Sequence, residues 1–197
     1  MKTTMAKRVF IIYGWDGFPE EGWFPWLKRE LEAKGFEVFV PQMPDAGNPR
    51  IEKWVPAVAS IVGSPDEETY FVGHSMGCQT IARYLESLPE GVVVGGAIFV
   101  GGFFKHLTGL SEDPKEQEID RHWLEAPLDL DKVKTHLKAS MALFSDDDPF
   151  VPLDNQDDFR DKLGSEIIIQ HGKKHFSGHS GTLEIPVVLE KLLEMVK

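Results

Sequence analysis

A serine, an acidic run and a histidine-rich segment are the parts of this 197-residue sequence whose residue types could together perform nucleophilic chemistry. Ser75 lies between two glycines in residues 73–77, which read Gly-His-Ser-Met-Gly. Three aspartates follow at 146–148, and three histidines lie within residues 171–179. A serine hydroxyl is a weak nucleophile at neutral pH, so it needs a neighbouring base and a carboxylate that orients the base. These residue types therefore indicate acyl transfer through Ser75.

The surroundings of Ser75 strengthen this interpretation. Residues 69–72 read as a short buried strand, and apolar residues then recur at helical spacing: Cys78, Ile81, Ala82, Leu85 and Leu88. A strand that runs directly into a helix forces a tight turn at Ser75, with little room for side chains at Gly73 and Gly77. The first backbone N–H groups of a helix have no partner inside it. We therefore expect the N–H of Met76 to be available to a developing oxyanion.

Strands and helices alternate along the whole sequence. Hydrophobic patterns predict strands at 8–13, 36–40, 69–72, 95–100, 139–144 and 166–170, and helices at 23–34, 51–62, after Ser75, 155–163 and 185–196. Such alternation predicts an α/β fold: a doubly wound, mostly parallel six-stranded sheet with helices on both faces. Residues 105–134 are charged and interrupted by glycine and proline, so we expect a small excursion above the sheet. The whole chain, 1–197, is predicted to be a single domain.

The candidate residues all follow predicted strands. Ligands of parallel sheets bind beyond the carboxyl ends of the strands, which brings together residues 14–15, Ser75 and residues 101–104, 145–150 and 171–179. The functional types occur in the chain order serine, aspartate, histidine. This is the order found in α/β-hydrolases.

Four segments carry a resemblance to a known family: GHSMG at 73–77, SDDDPFVP at 145–152, the pair His175-Phe176, and PLDLDKVK at 127–134. The sequence resembles the small α/β-hydrolases that include the retinoblastoma-binding protein 9 and YdeN-like serine hydrolases, over nearly its whole length. The resemblance implies a sheet of order 2-1-3-4-5-6 without a large lid domain. It also implies that Asp148, directly before a proline, is the acid of a catalytic triad and that His175 is its base.

The choice among the three aspartates stays open on the residues alone. Asp148 is favoured because Pro149 biases it towards an extended conformation at the strand edge. Asp146 or Asp147 could take the same role. The two aspartates that are not used are expected to form a solvated acidic turn.

The choice of histidine is also open, since His171 and His179 compete with His175. A metal site built from these three is disfavoured, because glycines make the segment a loop and no second group of ligands supports it. His74 precedes the nucleophile and is expected to line the pocket. The remaining histidines carry no motif and are interpreted as surface or excursion residues: His106, His122 and His136.

The loop after the first strand is expected to supply the second oxyanion donor, the N–H of Trp15. Tyr13 occupies the position where relatives of the wider fold carry histidine, but a backbone donor needs no particular side chain. Aromatic residues in loops at the carboxyl edge favour an apolar pocket. The candidate pocket residues are Trp15, His74, Phe103 and Phe150.

Charge and cysteine content exclude several classes of protein. With 21 basic and 32 acidic residues the formal net charge is −11, which disfavours nucleic acid and anionic membranes as partners. The single cysteine, Cys78, excludes an internal disulfide and is expected to pack in a helix. The apolar segment 9–13 is too short for a signal peptide or a membrane span, so we expect a cytoplasmic protein. No metal or other cofactor is expected.

Together these patterns predict a carboxylesterase-like serine hydrolase. Its substrate is expected to be a small, uncharged ester or amide, cleaved through an acyl-enzyme by Ser75, His175 and Asp148. Acyl transfer to an acceptor other than water would use the same residues. The resemblance includes a protein named for a protein partner, so a protein-binding module with little turnover is the alternative function.

Overall fold

Six parallel strands form the centre of the structure, a computed structural model that describes residues 6–197. They are β1 (Arg8–Ile12), β2 (Glu37–Phe39), β3 (Thr69–His74), β4 (Gly96–Val100), β5 (Ser140–Ser145) and β6 (Glu166–Gln170). Their order is β2-β1-β3-β4-β5-β6, and every neighbouring pair is parallel. The predicted sheet and its order are therefore confirmed.

Within residues 6–197, six α-helices surround the sheet: α1 (Phe24–Glu32), α2 (Ile51–Val62), α3 (Met76–Glu86), α4 (Pro114–Glu125), α5 (Leu130–Thr135) and α6 (Pro186–Met195). Helix α3 contacts both α2 and α5, while α1 contacts α6. Every residue of β3 and β4 is buried, as expected for strands that are covered on both faces. The predicted doubly wound α/β fold is confirmed.

One predicted helix has a different form. Instead of a single helix over 155–163, the chain makes a 3-10 turn at Leu153–Asn155 and a short π-helix at Asp158–Leu163. The π-helix ends at Gly164, which has φ of 73°. Phe159 is fully buried within it and packs against the rings of Phe99, Phe104 and Phe144.

The excursion, which begins at residue 105, contains two helices that hydrophobic periodicity did not predict, and the second of them ends at Thr135. The first, α4, has few buried apolar residues, but Asp113 caps it by accepting a hydrogen bond from Lys115 N, and Pro114 begins its first turn. The second, α5, is capped in the same way by Asp129, which accepts from Lys132 N. These capping residues are local signals that the sequence does contain.

The excursion is attached to the rest of the fold by buried polar groups. The guanidinium of Arg83, on α3, donates to carbonyl oxygens in the last turn of α4 and directly after it: Trp123 O at 3.0 Å, Ala126 O at 2.9 Å and Pro127 O at 3.0 Å. The indole of Trp123 is buried and donates to Pro49 O at 3.0 Å. These bonds place α4 beside the segment that leads into α2.

His136 is a correction to the sequence interpretation. It is interpreted in the sequence as a surface or excursion residue, but its side chain is buried, with Nδ1 2.7 Å from the carbonyl oxygen of Val92. It lies just after α5, where the chain turns into β5, so the bond ties that turn to the segment that leads into β4. Cys78 is buried in α3 as predicted, and burial raises the pKa of its thiol.

Candidate active site

Ser75 occupies a strained turn between β3 and α3. Its backbone has φ of 53° and ψ of −122°, a conformation that a residue with a side chain rarely adopts. Glycine is needed on both sides. A Cβ on Gly77 would overlap the carbonyl oxygen of Ile12, and one on Gly73 would lie 2.9 Å from Cys78 N. The absence of these side chains lets α3 start directly against the sheet, which presents Ser75 beyond the strand end.

His175 and Asp148 approach each other from the loops after β6 and β5. His175 Nδ1 lies 2.7 Å from Asp148 Oδ2, and both side chains are largely buried. The other oxygen of Asp148 accepts from the backbone N–H groups of Phe150 at 2.9 Å and Val151 at 3.1 Å. The carboxylate is therefore fixed in orientation, and it holds the imidazole with its proton on Nδ1, which leaves Nε2 free to accept one.

The two preceding aspartates have other partners. Asp146 pairs with the exposed His171 at 2.6 Å, and this hydrogen bond lowers the pKa of Asp146 and raises that of His171. Asp147 accepts from Lys174 and from Ser145 Oγ, and these bonds lower its pKa to about 2. Of the three aspartates, Asp148 alone contacts His175.

Ser75 and His175 line the same cleft. Within residues 6–197 the Ser75 hydroxyl has no hydrogen-bond partner, so the structure does not join it to the imidazole. In unliganded sites such bonds are often long and tighten when substrate binds. The ring of His175 packs against Phe150 at a centroid distance of 5.3 Å, and Gly101 leaves room for it, since a Cβ there would lie 3.4 Å from its Nδ1.

His74 supports the histidine loop from below. Its Nε2 lies 2.7 Å from the carbonyl oxygen of His175, so this nitrogen carries a proton and donates it. Burial, followed by the charge of nearby His175, lowers the pKa of His74 to about 3, so its ring is neutral. Trp23 is fully buried and donates from its indole to Phe176 O at 2.9 Å. His74 and Trp23 thus hold the carbonyl groups of two successive residues, His175 and Phe176.

The predicted oxyanion donors lie beside Ser75. Gly14 is so close that a Cβ on it would lie 2.8 Å from Ser75 Cβ. The next N–H groups of this loop, those of Asp16 and Gly17, donate to backbone carbonyls, whereas those of Trp15 and Met76 donate to none within residues 6–197. Tyr13, at the position where histidine is usual, is buried and accepts a hydrogen bond from Met43 N at 2.5 Å.

A cleft of about 1110 Å³ opens above these residues. The four predicted pocket residues, Trp15, His74, Phe103 and Phe150, all line it. Further apolar lining comes from Phe18, Leu107, Leu110 and Ile119, the last three on the excursion. The acidic lining was not predicted; it consists of Asp16, Glu21, Asp113, Glu116, Glu118 and Asp120, against the basic residues Arg50 and Lys115.

Metal ligation and membrane insertion can be examined on the same residues. Within the described part of the chain, no group of His, Cys, Asp or Glu has a geometry that could hold a metal ion. His171 and His175 are each engaged with a different aspartate, and His179 is exposed at the rim of the cleft. Over residues 6–197 no helix combines the length and the apolar character that a bilayer crossing needs.

The sheet order and the serine at the strand-to-helix turn define the class of the protein as an α/β-hydrolase. The profile of the family described as "Serine hydrolase" matches residues 9–194, and the chain belongs to that family. The chain is therefore a hydrolase, and the family resemblance seen in the sequence is confirmed.

Individual relatives agree with this assignment. YdeN of Bacillus subtilis, which is named as a hydrolase, is 33% identical to this chain over 189 residues, covering 95% of each chain. Its crystal structure aligns with a TM-score of 0.87 at 31% identity, covering 97% of this chain and 99% of that chain. Serine hydrolase RBBP9 of Rattus norvegicus is 28% identical over 79% of this chain and 78% of its own length. Est1E of Butyrivibrio proteoclasticus shares the fold, with a TM-score of 0.75 at 18% identity over 97% of this chain and 90% of its own.

Proposed function

We propose that the protein hydrolyses a small ester or amide through Ser75, His175 and Asp148. His175 takes the proton of the Ser75 hydroxyl as the oxygen attacks the carbonyl carbon, and Asp148 stabilises the resulting imidazolium. His175 then returns the proton to the leaving group, and water, activated by the same nitrogen, cleaves the acyl-enzyme. The observation that carries this proposal is the 2.7 Å His175–Asp148 bond in the cleft that contains Ser75.

The oxyanion of each tetrahedral intermediate would be held by the N–H groups of Trp15 and Met76. Their lack of backbone acceptors within residues 6–197 supports this role. Loss of one such donor typically costs about 3 kcal/mol of transition-state stabilisation. Both are backbone groups, so their positions depend on the loop after β1 and on the turn at Ser75.

The lining of the cleft supports a substrate without negative charge. Aromatic and aliphatic side chains surround the nucleophile, and acidic side chains outnumber basic ones around them. A carboxylate or phosphate on the substrate would be repelled by this field. The sequence predicts an uncharged substrate, and the lining of the cleft extends the proposed substrate class to neutral or cationic molecules.

A fluorophosphonate, which forms a covalent adduct with activated serines, tests the nucleophile. We expect intact-mass analysis to show one adduct on the wild-type protein and none on Ser75→Ala. The His175→Ala protein should react more slowly by about 10²-fold or more, since general-base assistance is lost. Ser177 also lines the cleft, so Ser177→Ala is the matched control and should keep the adduct.

Two results would contradict the proposal: an adduct on the folded Ser75→Ala protein, or no adduct on the folded wild-type protein. Turnover of 4-nitrophenyl butyrate by the same four proteins extends the test from labelling to hydrolysis. Release of nitrophenol should follow the same ranking as the labelling.

A further inference from the structure

Asp120, on α4, is a buried carboxylate that the proposed chemistry does not use. It lines the active-site cleft and is 5% exposed. Within residues 6–197 the Asp120 carboxylate has no hydrogen-bond or ion-pair partner. Its oxygens are nevertheless not fully enclosed by protein atoms. The remaining access of this carboxylate is therefore to the cleft.

The nearby cations do not neutralise it. Arg50, which lines the same cleft, is paired with Glu118 at 3.0 Å. Lys115 lies five residues before Asp120 on α4, which places it roughly 140° around the helix from Asp120. Lys115 is exposed. Arg121 is exposed and donates to Gln117 O on its own helix. No charge of the described chain is thus placed to pair with Asp120.

An unpaired carboxylate in such a place is costly. Burial disfavours the ionised form, and so does a second negative charge nearby. Both act here, since burial and then the charge of Glu116 raise the pKa of Asp120. A buried charge is strongly unfavourable when it has no partner of opposite charge. A cation from outside the chain would therefore lower the free-energy cost of the buried carboxylate.

We infer that Asp120 is a specificity-determining residue whose carboxylate binds an ammonium group of the substrate while the substrate carbonyl lies at Ser75. The inference rests on the proposed function. It narrows the substrate to small esters or amides that carry an amino or quaternary ammonium group in the acyl or the alcohol part. The excess of acidic lining residues acts in the same direction, because it raises the local concentration of cations.

Matched pairs of esters test the inference. In the first pair, 4-nitrophenyl 6-aminohexanoate and 4-nitrophenyl heptanoate differ by an ammonium in place of a methyl group. In the second pair, acetylcholine and 3,3-dimethylbutyl acetate differ by a quaternary nitrogen in place of a quaternary carbon in the alcohol part. We expect the wild-type protein to prefer the cationic member of at least one pair by about tenfold or more in kcat/KM, as for a charge-assisted hydrogen bond or buried ion pair.

The Asp120→Asn variant should lose that preference. Its kcat/KM for the cationic ester should fall about tenfold or more, and that for the neutral ester should stay within about twofold. Glu125→Gln is the matched control, since Glu125 is an exposed acid on the same helix outside the cleft, and it should change neither value by more than about twofold. Equal losses for both esters, or unchanged values for both, would overturn the inference.

Folding and turnover are checked separately. The melting temperature of Asp120→Asn should not fall, because the change removes an unpaired charge; a fall would point to a structural role instead. Binding without turnover is measured by calorimetry on Ser75→Ala, with n-hexylammonium against 1-hexanol. If Ser75→Ala binds n-hexylammonium and the added Asp120→Asn change abolishes this binding, the inference is supported. If no ester is hydrolysed in that situation, only the proposed function fails. Turnover of neutral esters with no preference for the ammonium would reject the inference alone.

Discussion

Three consecutive aspartates have three different partners in this protein. Asp146 binds His171, Asp147 binds Lys174 and Ser145, and Asp148 binds His175. The side chains diverge because the chain turns sharply after β5. The first two join the loop after β5 to the loop after β6, and the third orients the proposed base. The position before Pro149 favours Asp148 in the sequence, whereas charge alone does not distinguish the three.

The proposed role of Asp148 predicts a large kinetic effect. Asp148→Asn should lower kcat for 4-nitrophenyl butyrate by about 10³–10⁴-fold, because an amide no longer holds the imidazole in the tautomer that accepts a proton at Nε2. Asp146→Asn removes a carboxylate two positions away and should stay within about threefold of the wild-type value. If the Asp146 variant lost as much activity as the folded Asp148 variant, the assignment of the acid would be wrong.

His74 predicts a dependence of stability on pH. Its folded pKa of about 3 lies below the ordinary 6.5, so the unfolded chain binds the extra proton first as the pH falls. The stabilisation is complete above pH 6.5 and is lost as the pH falls from 6.5 towards 3. The melting temperature should therefore drop over this range.

His74→Phe isolates this contribution. It should lower stability at pH 7 by about 1 kcal/mol through loss of the bond to His175 O, and it should make the melting temperature depend less on pH between 7 and 4. Parallel pH curves for the two proteins would mean that His74 is not the acid-sensitive group.

At the scale of elements, α4 determines much of the cleft although its hydrophobic pattern is weak. Only Ile119 and Trp123 are buried apolar residues in it, so its position depends on polar bonds. Three carbonyl oxygens at its end accept from one guanidinium, that of Arg83 on α3. A helix fixed in this way is sensitive to a single substitution on another element.

Arg83→Met should lower the free energy of unfolding by about 2–3 kcal/mol, because buried carbonyl groups lose a charged donor. It should also speed cleavage within residues 105–130 by thermolysin under native conditions, since α4 is released first. Urea unfolding and timed proteolysis measure the two effects. Arg121→Met is the control, because Arg121 is exposed and bonds only to its own helix; both properties should remain close to those of the wild type. Equal behaviour of the two variants would show that Arg83 does not anchor α4.

At the scale of the whole molecule, a net charge of −11 and an acidic cleft act on the substrate before it binds. Their field extends about 30 Å at 0.01 M salt and only about 10 Å at 0.1 M. Anionic substrates should be repelled over this range, while neutral substrates should not be affected.

Two esters of similar size test this effect. The kcat/KM for 4-nitrophenyl hydrogen succinate should be lower than that for 4-nitrophenyl butyrate, and it should rise several-fold between about 0.01 and 0.3 M sodium chloride as screening shortens the field. The value for the butyrate should stay within about twofold and serves as the control. A fall in the rate for the succinate as salt is added would mean that the cleft attracts anions.

Much of the fold follows from local sequence. Apolar runs of strand length, amphipathic spacing and glycines on both sides of Ser75 act over a few residues, so they predicted the strands, most helices and the turn. The π-helix and α4 were not predicted in these forms, because buried contacts from distant residues stabilise them.

The sequence by itself determined the α/β class, the strain-bearing turn at Ser75 and the chemical types available at the strand ends. The tertiary structure decided that the favoured Asp148 does meet His175, which side chains hold the histidine loop, and that Asp120 is buried in an acidic cleft without a partner among residues 6–197. The physical reason is range. Backbone propensity and periodicity operate between neighbours in the chain, whereas Asp148 and His175 lie 27 residues apart and pair only because β5 and β6 are adjacent in the sheet.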